Sequence, residues 1–573
     1  VSDGETSIKR TASTYVNANA DVTKGVIEKH KAHYAELSEL VKRCDEKNLY
    51  TEYEKIDYNV IGNTIGIMEE AASKNDFTRI YYQSKTLDEL YTSVKDKLTK
   101  YLDGTEKPII AAKYVTSDIS TVGKHFEATV DIDGEKKQQP VFFVGAGHWP
   151  NEDFYETLEN VGFNATQPEI GPWHFMKVSN GARDWYSESW DVNYKCKVVS
   201  DSGEKHGGQY SIKLNSTEPR KENAAFFYIF QNVPVKPNTT YEYGLWSKAS
   251  NARASASIDT SWSYRMMLNG TYDWRSNDSV FTTGPDQTST KFYIIVEDLT
   301  DGLWIDDAYI REKGTNINLL KNGDFEDVNA PDTTWEIDPE WIDKITAYLD
   351  SCAEHNISAQ FSDASHYIPC MYGLEHPEIY DGRRVNSGIN FCSQLFIDMM
   401  EVYYRVLLPK IKDKPAFDGI ILMNEPEYNS TENKKFFLPL FQNYVKEKYG
   451  SIDALNAKWG TNYASFYDVE MAAGIEKTAQ SYDWRTFNDE ILPGVTKKLA
   501  DIVREYAPNV MMQTKMMQTF AESSVMRADS SNNWETLADS VDINCCDGWA
   551  YYRNDEQTIP IQMFFYDYQT SVK

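Results

Sequence analysis

One stretch in the second half of the chain joins an apolar run to residues that could do acid–base chemistry. The run from Phe417 to Met423 is mostly apolar and stops at Asn424-Glu425-Pro426. Such a run predicts a buried parallel strand that carries a carboxyl group to its C-terminal end. In (β/α)8 barrels the catalytic residues lie at that end. A carboxyl group there, with an amide beside it, could protonate the oxygen that leaves when a glycosidic bond breaks. The alternative is a surface turn after a core strand, ended by Pro426.

This motif resembles that of the clan A glycoside hydrolases, whose acid/base glutamate follows an asparagine at the end of the fourth barrel strand. A second phrase, from Lys448 to Tyr463 (KYGSIDALNAKWGTNY), resembles the corresponding part of glycoside hydrolase family 42, which is dominated by β-galactosidases. The resemblance implies that Glu425 is the acid/base and that Asn424 hydrogen-bonds the sugar 2-hydroxyl. It also implies a retaining mechanism, with a nucleophile at the end of the seventh strand.

Composition narrows the classes of partner. The 573 residues include 58 Lys and Arg and 87 Asp and Glu, a net charge of −29. This charge argues against nucleic acid and anionic membranes and suits a protein that acts on neutral or cationic material, but it selects no substrate. The expected partner, an oligo- or polysaccharide, is what the family resemblance implies. The count of 7 Cys is odd and shows no zinc-like pairs, so we expect no metal at the active site and no required cofactor. No apolar run approaches the length of a membrane span.

The start of the chain suggests where the protein acts. It begins Val1-Ser2-Asp3, without an initiator Met or a signal peptide. We therefore expect a processed form or an excised fragment, and an extracellular or cell-surface location after removal of a signal peptide.

The order of elements predicts an α/β fold. We expect a (β/α)8 TIM barrel that lacks its last two βα units in this chain, with an inserted β-sandwich (jelly roll) and an N-terminal helical region. The predicted domains are an N-terminal helical domain (1–107), the start of the barrel with a leading hairpin and strands 1–2 (108–177), the inserted sandwich (178–332) and barrel strands 3–6 (333–573).

Periodicity predicts three helices between about 21 and 103. An apolar stripe that includes His30 marks the first, and we interpret His30 as packing rather than as a ligand. Capping boxes starting at Thr51 and Thr86 would open the second and third. A hairpin with an Asp133-Gly134 turn follows, and its second arm, 141–145, would be the first barrel strand. Farther on, one helix is expected from Trp484 to Tyr506. Counting the predicted barrel strands along the chain, with 141–145 as the first, places Glu425 on the fourth strand.

The segment 178–332 reads as short alternating strands. It resembles carbohydrate-binding modules of families 4 and 9, in phrases such as Thr240 to Ala249 (TYEYGLWSKA) and Leu303 to Ala308 (LWIDDA). Four aromatic residues could stack on sugar rings or could instead pack under a loop: Trp262, Tyr264, Tyr272 and Trp274. Asp306-Asp307 could hold a structural calcium ion or could be a strand end facing solvent.

Further residues near predicted strand ends are candidates for substrate binding, with packing at the core or rim as the alternative for each. They are His148, Trp149, Glu169, Trp173, His174, Asp363, His366, Glu427 and Trp549. None of them matches the position of a nucleophile. We therefore expect the nucleophile beyond Lys573, on a missing C-terminal segment or a second chain that completes the barrel.

The leading functional hypothesis is a retaining glycoside hydrolase that cleaves β-glycosidic bonds, in β-galactosides or a related polysaccharide, by double displacement. The alternatives are a non-catalytic carbohydrate-binding or cell-surface protein on a glycosidase-like barrel, and an acidic scaffold with no role in sugar recognition.

Overall fold

The three N-terminal helices that the apolar spacing predicts are present in the structure, a computed structural model. They are α1 (Ala20–Glu46), α2 (Glu52–Ser73) and α3 (Phe77–Asp103). Ile27, His30, Leu37 and Cys44 from the stripe of α1 are buried. Ile27, Leu37 and Cys44 share one core with residues of α2 and α3, because each helix has a single apolar face to cover.

The structure describes most of the chain, and the statements below concern these residues. They are residues 20–115, 119–123, 125–147, 154–172, 176–179, 181–187, 196–222, 225–259, 264–328, 336–337, 339–363, 368, 376, 378–379, 389–426, 428–472, 476–517, 532–547, 567–568 and 570–571.

The predicted start of the third helix is wrong. Asp76 caps this helix, because its side chain accepts a hydrogen bond from the amide of Arg79 at 3.1 Å. Thr86 lies inside α3, where its hydroxyl bonds back to the carbonyl of Tyr82. Thr51 does occupy the N-cap of α2, but its side chain makes no capping hydrogen bond. An S/T-x-x-E pattern inside a continuous helical period therefore did not mark a helix end here.

The chain divides into two compact units, 1–166 with 351–358, and 167–350 with 359–573. These limits differ from the four predicted domains, which stay a prediction. The described elements of the first unit after α3 include six strands and a helix: β1 (Lys113–Tyr114), β2 (Ser120–Val122), β3 (His125–Ile132), β4 (Glu135–Val141), β5 (Gly145–Gly147), α4 (Tyr155–Asn160) and β6 (Ala165–Gln167), whose last residue is already counted with the second unit.

The predicted hairpin is present as β3 and β4, with the turn at Asp133 and Gly134. Both turn residues have positive φ, 53° and 82°, as a two-residue hairpin turn of type I′ requires. The first barrel strand predicted at 141–145 is wrong in position. Val141 pairs with Phe126 and so extends the hairpin, and the next strand begins only at Gly145.

Two antiparallel sheets occupy the first part of the second unit. One has the order β10-β11-β18-β13-β16 and the other β15-β14-β17-β12-β9-β8-β19. Aromatic side chains of the two sheets meet, as Tyr243 and Phe292 do with ring centres 6.0 Å apart. The strands are β7 (Glu169–Ile170), which belongs to the parallel sheet described next, β8 (Met176–Ser179), β9 (Tyr186–Ser187), β10 (Cys196–Asp201), β11 (Ser211–Ser216), β12 (Phe227–Pro234), β13 (Thr240–Ala252), β14 (Ala254–Ile258), β15 (Arg265–Met267), β16 (Gly270–Thr282), β17 (Ser289–Val296), β18 (Thr300–Glu312) and β19 (Glu336–Ile337).

A parallel sheet with helices forms the rest of the second unit, which confirms the α/β class. Its strands pair in the order β23-β22-β21-β20, and β7 also pairs with β20. Because neighbours are parallel, their carboxyl ends meet at one edge of the sheet. The elements are α5 (Pro339–Glu354), β20 (Ser358–Asp363), α6 (Gln394–Ile411), β21 (Phe417–Asn424), α7 (Lys434–Tyr449), α8 (Ile452–Trp459), α9 (Ala479–Asp489), α10 (Ile491–Tyr506), β22 (Met511–Met517), α11 (Trp534–Asp539) and β23 (Ile543–Asp547).

The helices of the second unit differ from the prediction in one place. The single helix expected from Trp484 to Tyr506 is in fact α9 and α10, divided at Glu490. The sequence from about 558 to 573 also predicts a helix, and most of these residues lie outside the described part of the chain. None of the described helices is both long and apolar enough to cross a bilayer.

Candidate active site

The strand β21 delivers Asn424 and Glu425 to the carboxyl edge of the parallel sheet. Gly419 to Asn424 are all buried, between β20 and β22. Glycine is required early in the strand, since a Cβ on Gly419 would lie 2.9 Å from the carbonyl oxygen of Met511 on β22. At the far end Asn424 pairs with Lys515 of β22, whose carbonyl accepts the amide of Glu425 at 2.8 Å. The predicted strand is thus confirmed, with its polar end at the expected edge.

Glu425 turns out of the strand in the left-handed region, with φ of 48°. Ten of the twelve non-glycine residues with positive φ in the described chain are Asn or Asp, whose short side chains tolerate this conformation. Glutamate has no such compensation, so the conformation costs about 1–2 kcal/mol. Strain of this kind is concentrated at functional sites. The side chain is half-buried, neither sealed in the core nor fully in solvent.

A hydrogen bond from a distant part of the chain orients Asn424. Its Nδ2 donates to Oε1 of Glu169 at 2.6 Å, and its side chain is 6% exposed. The amide oxygen Oδ1 is buried and has no hydrogen-bond partner among the described residues. A buried acceptor without a donor is uncommon in folded proteins, and a role in catalysis is one of its known explanations. The arrangement could accept a hydrogen bond from a hydroxyl group bound beside Glu425.

Asp363 also reaches this edge, at the end of β20 and one register position from Glu169. Its carboxyl group is fully buried and accepts a hydrogen bond from the Tyr404 hydroxyl at 2.5 Å. Burial holds the pKa of Asp363 well above its ordinary value, and the bond from Tyr404 opposes that shift only in part. The buried Asp363 carboxyl group therefore joins the end of β20 to Tyr404 of α6. Its contact with substrate stays a prediction.

Lys515 was not singled out from the sequence. It pairs with Asn424 on one side and with Cys545 of β23 on the other, and it is half-buried. The cation at this edge is therefore in register with Asn424, and the carbonyl of the same residue bonds the amide of Glu425. The available signal was a lone charged residue in the run Met511-Met512-Gln513-Thr514-Lys515-Met516-Met517.

Seven of the other predicted substrate-binding residues lie outside the described part of the chain, so their roles stay predictions. They are His148, Trp149, Trp173, His174, His366, Glu427 and Trp549. Of the predicted set, the structure therefore brings together Glu169, Asp363, Asn424 and Glu425 at one sheet edge.

The predicted aromatic face of the antiparallel sheets is only partly described, since Trp262 lies outside the described residues. The half-buried Tyr264 ring lies 6.0 Å from the core residue Phe281. The Tyr272 ring is covered by the guanidinium of Arg275 at 3.6 Å. Both contacts favour packing over an open stacking face. Trp274 is half-buried, and its ring lies 5.9 Å from that of His206.

A neighbouring aromatic group was missed by the sequence analysis. The His206 ring stacks on Trp246 at 3.7 Å, and Trp274 lies beside it. His206 Nδ1 is 2.6 Å from the carboxylate of Asp307. The two rings come from a loop and from β13, so no local pattern announces the contact.

At the predicted calcium site, Asp306-Asp307, both carboxylate oxygens of Asp306 accept hydrogen bonds from backbone amides. Asp306 Oδ2 accepts the amides of His206 and Gly207, and Oδ1 accepts the amide of Asp307. Burial raises the pKa of Asp306, and these backbone bonds partly offset the shift. A carboxylate whose oxygens are both occupied by amides fits a loop anchor better than an ion ligand. Calcium binding here stays a prediction.

The family-like phrase from Lys448 to Tyr463 has a structural explanation in Asp483 of α9. This buried carboxylate accepts bonds from Lys448 Nζ at 2.7 Å, Tyr449 Oη at 2.5 Å and Trp459 Nε1 at 2.8 Å. The three donors in the phrase therefore bind one acceptor, Asp483, which lies outside the phrase. These residues pack around Phe441 and Trp484 on the helices after β21.

Part of the chain is similar to known proteins. The family model of glycoside hydrolase family 42, described as beta-galactosidase, matches residues 318–572. A beta-galactosidase, bgaB, of Geobacillus kaustophilus is 25% identical over 287 residues, which are 46% of this chain and 40% of that protein. A beta-galactosidase, LacZ, of Heyndrickxia coagulans is 26% identical over 242 residues, which are 39% of this chain and 35% of that protein.

A solved structure, the apo exo-carrageenase GH42 of Bacteroides ovatus, aligns with 94% of this chain and 55% of its own, at 13% identity and a TM-score of 0.44. The chain spans about 40% or less of the length of the two curated relatives. The resemblance of 178–332 to carbohydrate-binding modules stays a prediction. The predicted resemblance to glycoside hydrolase family 42, within clan A, is confirmed: residues 318–572 are similar to that family.

Proposed function

We propose that the protein is a retaining glycoside hydrolase that cleaves β-glycosidic bonds, in β-galactosides or a related polysaccharide, with Glu425 as the acid/base. One observation carries this proposal: a glutamate in a strained, half-buried conformation follows an oriented asparagine at the carboxyl edge of a parallel sheet. The family match over residues 318–572 and the beta-galactosidase relatives support the same reaction class.

Each residue has a distinct role in this proposal. Glu425 donates a proton to the departing glycosidic oxygen and later removes one from the attacking water. Asn424 Oδ1, which is buried without a donor among the described residues, accepts a hydrogen bond from the sugar 2-hydroxyl. Glu169 holds the Asn424 amide in the orientation that leaves Oδ1 available. Catalysis by a positioned acid contributes typically about 10²–10⁴ in rate.

A retaining mechanism also needs a carboxylate nucleophile about 5 Å from the acid/base. We extend the proposal to a closed eight-stranded barrel, in which β20 to β23 are strands three to six. The nucleophile would come from a seventh strand, supplied by a further segment or by a second chain. The intact mass of the natural protein tests this extension, and a mass near 65.8 kDa without a companion chain would defeat it.

The leaving group distinguishes an acid from other roles of Glu425. Aryl β-galactosides with poor leaving groups need protonation, whereas those with good leaving groups do not. In the full-length protein, Glu425→Gln is expected to slow glycosyl transfer from the poor leaving groups by about 10²–10⁴ and from the good ones much less. The exposed Glu447 on α7 offers a matched control, because Glu447→Gln removes a carboxylate remote from the sheet edge.

The outcomes separate the hypotheses. Equal losses of kcat/KM, which reports the first step, across all leaving groups would mean that position 425 is not the acid. Full activity of Glu425→Gln would overturn the hydrolase assignment for this site. Absence of hydrolysis in the parent, together with retention on a polysaccharide gel, would favour a non-catalytic carbohydrate-binding protein.

Sugar binding by the antiparallel sheets is a second, separable proposal. The half-buried Trp246 and Trp274, grouped around His206, offer flat apolar surface. Trp274→Ala is expected to weaken retention in affinity electrophoresis while hydrolysis of aryl glycosides is unchanged. Unchanged retention would remove these residues from the proposal. A secreted or cell-surface location, which polysaccharide degradation would require, is tested by fractionating cells and medium.

A further inference from the structure

Three side chains of the N-terminal helices could together hold a metal ion. His30 and His33 lie one turn apart on α1, and Asp88 faces them from α3. Each offers one ligand atom, and these atoms all lie within 4.8 Å of one another. The group belongs to the first compact unit, whereas Asn424 and Glu425 belong to the second. Nothing in the proposed hydrolysis uses it.

His30 is the clearest indication of a ligand. The residue has no exposed surface, and its Nδ1 finds no hydrogen-bond partner in the described part of the chain. Its other ring nitrogen, Nε2, lies 2.8 Å from the hydroxyl oxygen of Ser84. If Nε2–H donates to that hydroxyl, Nδ1 carries the lone pair and is the nitrogen left for a ligand bond. A metal-bound histidine is commonly held by such a bond from its second nitrogen.

His33 and Asp88 complete the donor set. Within the described residues His33 Nδ1 also has no hydrogen-bond partner, and it lies 4.0 Å from Asp88 Oδ1. The His33 ring stacks on Tyr91 at 3.8 Å, which fixes its plane. Burial lowers the pKa of both histidines.

We propose that His30 Nδ1, His33 Nδ1 and a carboxylate oxygen of Asp88 bind a divalent transition-metal ion, with zinc as the best match. Two imidazole nitrogens and one carboxylate are a common zinc donor set, with bonds of about 2.0–2.2 Å. Ligand atoms around a tetrahedral ion lie about 3.3 Å apart, so Asp88 and His33 must approach each other by less than 1 Å. A water molecule completes the shell from the solvent side, where His33 and Asp88 are half-exposed.

Lys29 is the group that opposes this ion. Its Nζ contacts both carboxylate oxygens of Asp88, at 2.6 and 2.8 Å. Its side chain is 47% exposed, so it can swing into solvent when a metal takes one of those oxygens. The bound ion would then link α1 to α3 in place of a surface ion pair, and the site stabilises the helical region rather than performing chemistry.

The test measures metal binding by the full chain. After treatment with a chelator and removal of the chelator, Co²⁺ is added as a spectroscopic substitute for zinc and Zn²⁺ is then used to displace it. We expect one equivalent to bind with the visible absorption of tetrahedral cobalt. His33→Gln and Asp88→Asn are expected to weaken binding more than the 10–100-fold that loss of an outer-shell partner costs.

The matched control is His125→Gln. His125 is an exposed histidine 2.9 Å from the carboxylate of Glu127, a pair without a second histidine in the described residues. The His125→Gln variant should bind Co²⁺ as the parent protein does. His33 is partly exposed, so His33→Gln should fold, and circular dichroism checks this. No stoichiometric binding by the parent, or equal binding by the parent and His33→Gln, would overturn the proposal. Neither result bears on the activity of Glu425.

Discussion

Asn424 and Glu169 are separated by 255 positions in the sequence, yet Asn424 Nδ2 lies 2.6 Å from Glu169 Oε1. The two residues come from β21 and β7, which both flank β20 in the parallel sheet. The bond uses one N–H of the Asn424 amide and leaves the amide oxygen Oδ1 available as an acceptor. The hydrogen bond suits Glu169 to position Asn424, and its contact with substrate stays a prediction.

Removal of the Glu169 carboxylate should therefore reduce activity through Asn424. Glu169→Ala is expected to lower kcat/KM by about 10², the scale of a 1 Å misplacement in an active site. Glu169→Gln keeps an oxygen that can accept from Nδ2 and should retain more activity. Steady-state kinetics checks this order. The exposed Glu156→Ala is the control, and an equal loss there, or no loss in Glu169→Ala, would contradict the role.

Backbone strain at Glu425 predicts a separation of activity from stability. Glu425→Gly relieves the cost of φ at 48° and removes the acid. Activity should fall by about 10²–10⁴, while the free energy of unfolding stays the same or rises by up to about 1 kcal/mol. Urea unfolding and kinetics measure the two effects. Glu447→Gly inside α7 should instead lose about 1 kcal/mol, because glycine disfavours a helix interior.

The buried Asp363 predicts how stability depends on pH. Its pKa in the folded protein is raised by burial, whereas in the unfolded chain it ionises near 3.9. Between these two values the folded state binds more protons, so this contribution is full below pH 4 and falls by at most about 1.4 kcal/mol per pH unit as the pH rises.

Asp363→Asn resembles the protonated carboxyl group and can still accept from Tyr404. It should flatten the decline of the unfolding free energy between pH 5 and 8, as measured by denaturant titrations at each pH. The exposed Asp501→Asn should follow the parent. A variant curve parallel to the parent would show that Asp363 ionises normally in the folded state.

The Asp483 network predicts a large loss of stability. Asp483→Ala leaves the donors of Lys448, Tyr449 and Trp459 without their acceptor. Breaking such a buried charged network should cost about 3 kcal/mol of unfolding free energy. Asp501→Ala, which breaks only an exposed pair with Lys497, should cost less than about 0.5 kcal/mol. Similar losses in the two variants would mean that the network contributes little.

The sequence by itself determined the features whose causes are local. The apolar period of α1 depends on residues within a few turns, and the Asp133-Gly134 turn depends on the conformational freedom of two residues. The strand that ends at Asn424-Glu425 was predictable because a fully buried parallel strand is a short apolar run. The capping box predicted at Thr86 was wrong because a pattern of four residues does not show whether the preceding turn is already helical. Here it is, since α3 begins at Phe77.

Only the tertiary structure decided which distant groups meet. Glu169 orients Asn424, Tyr404 covers Asp363, and Asp88 faces His30. In each case the two residues lie on different elements, and their approach depends on sheet register and helix packing that no short window of sequence specifies. Local composition sets which conformations a segment prefers, whereas a hydrogen bond or a ligand set requires atoms placed within a few ångströms by the packing of the whole unit.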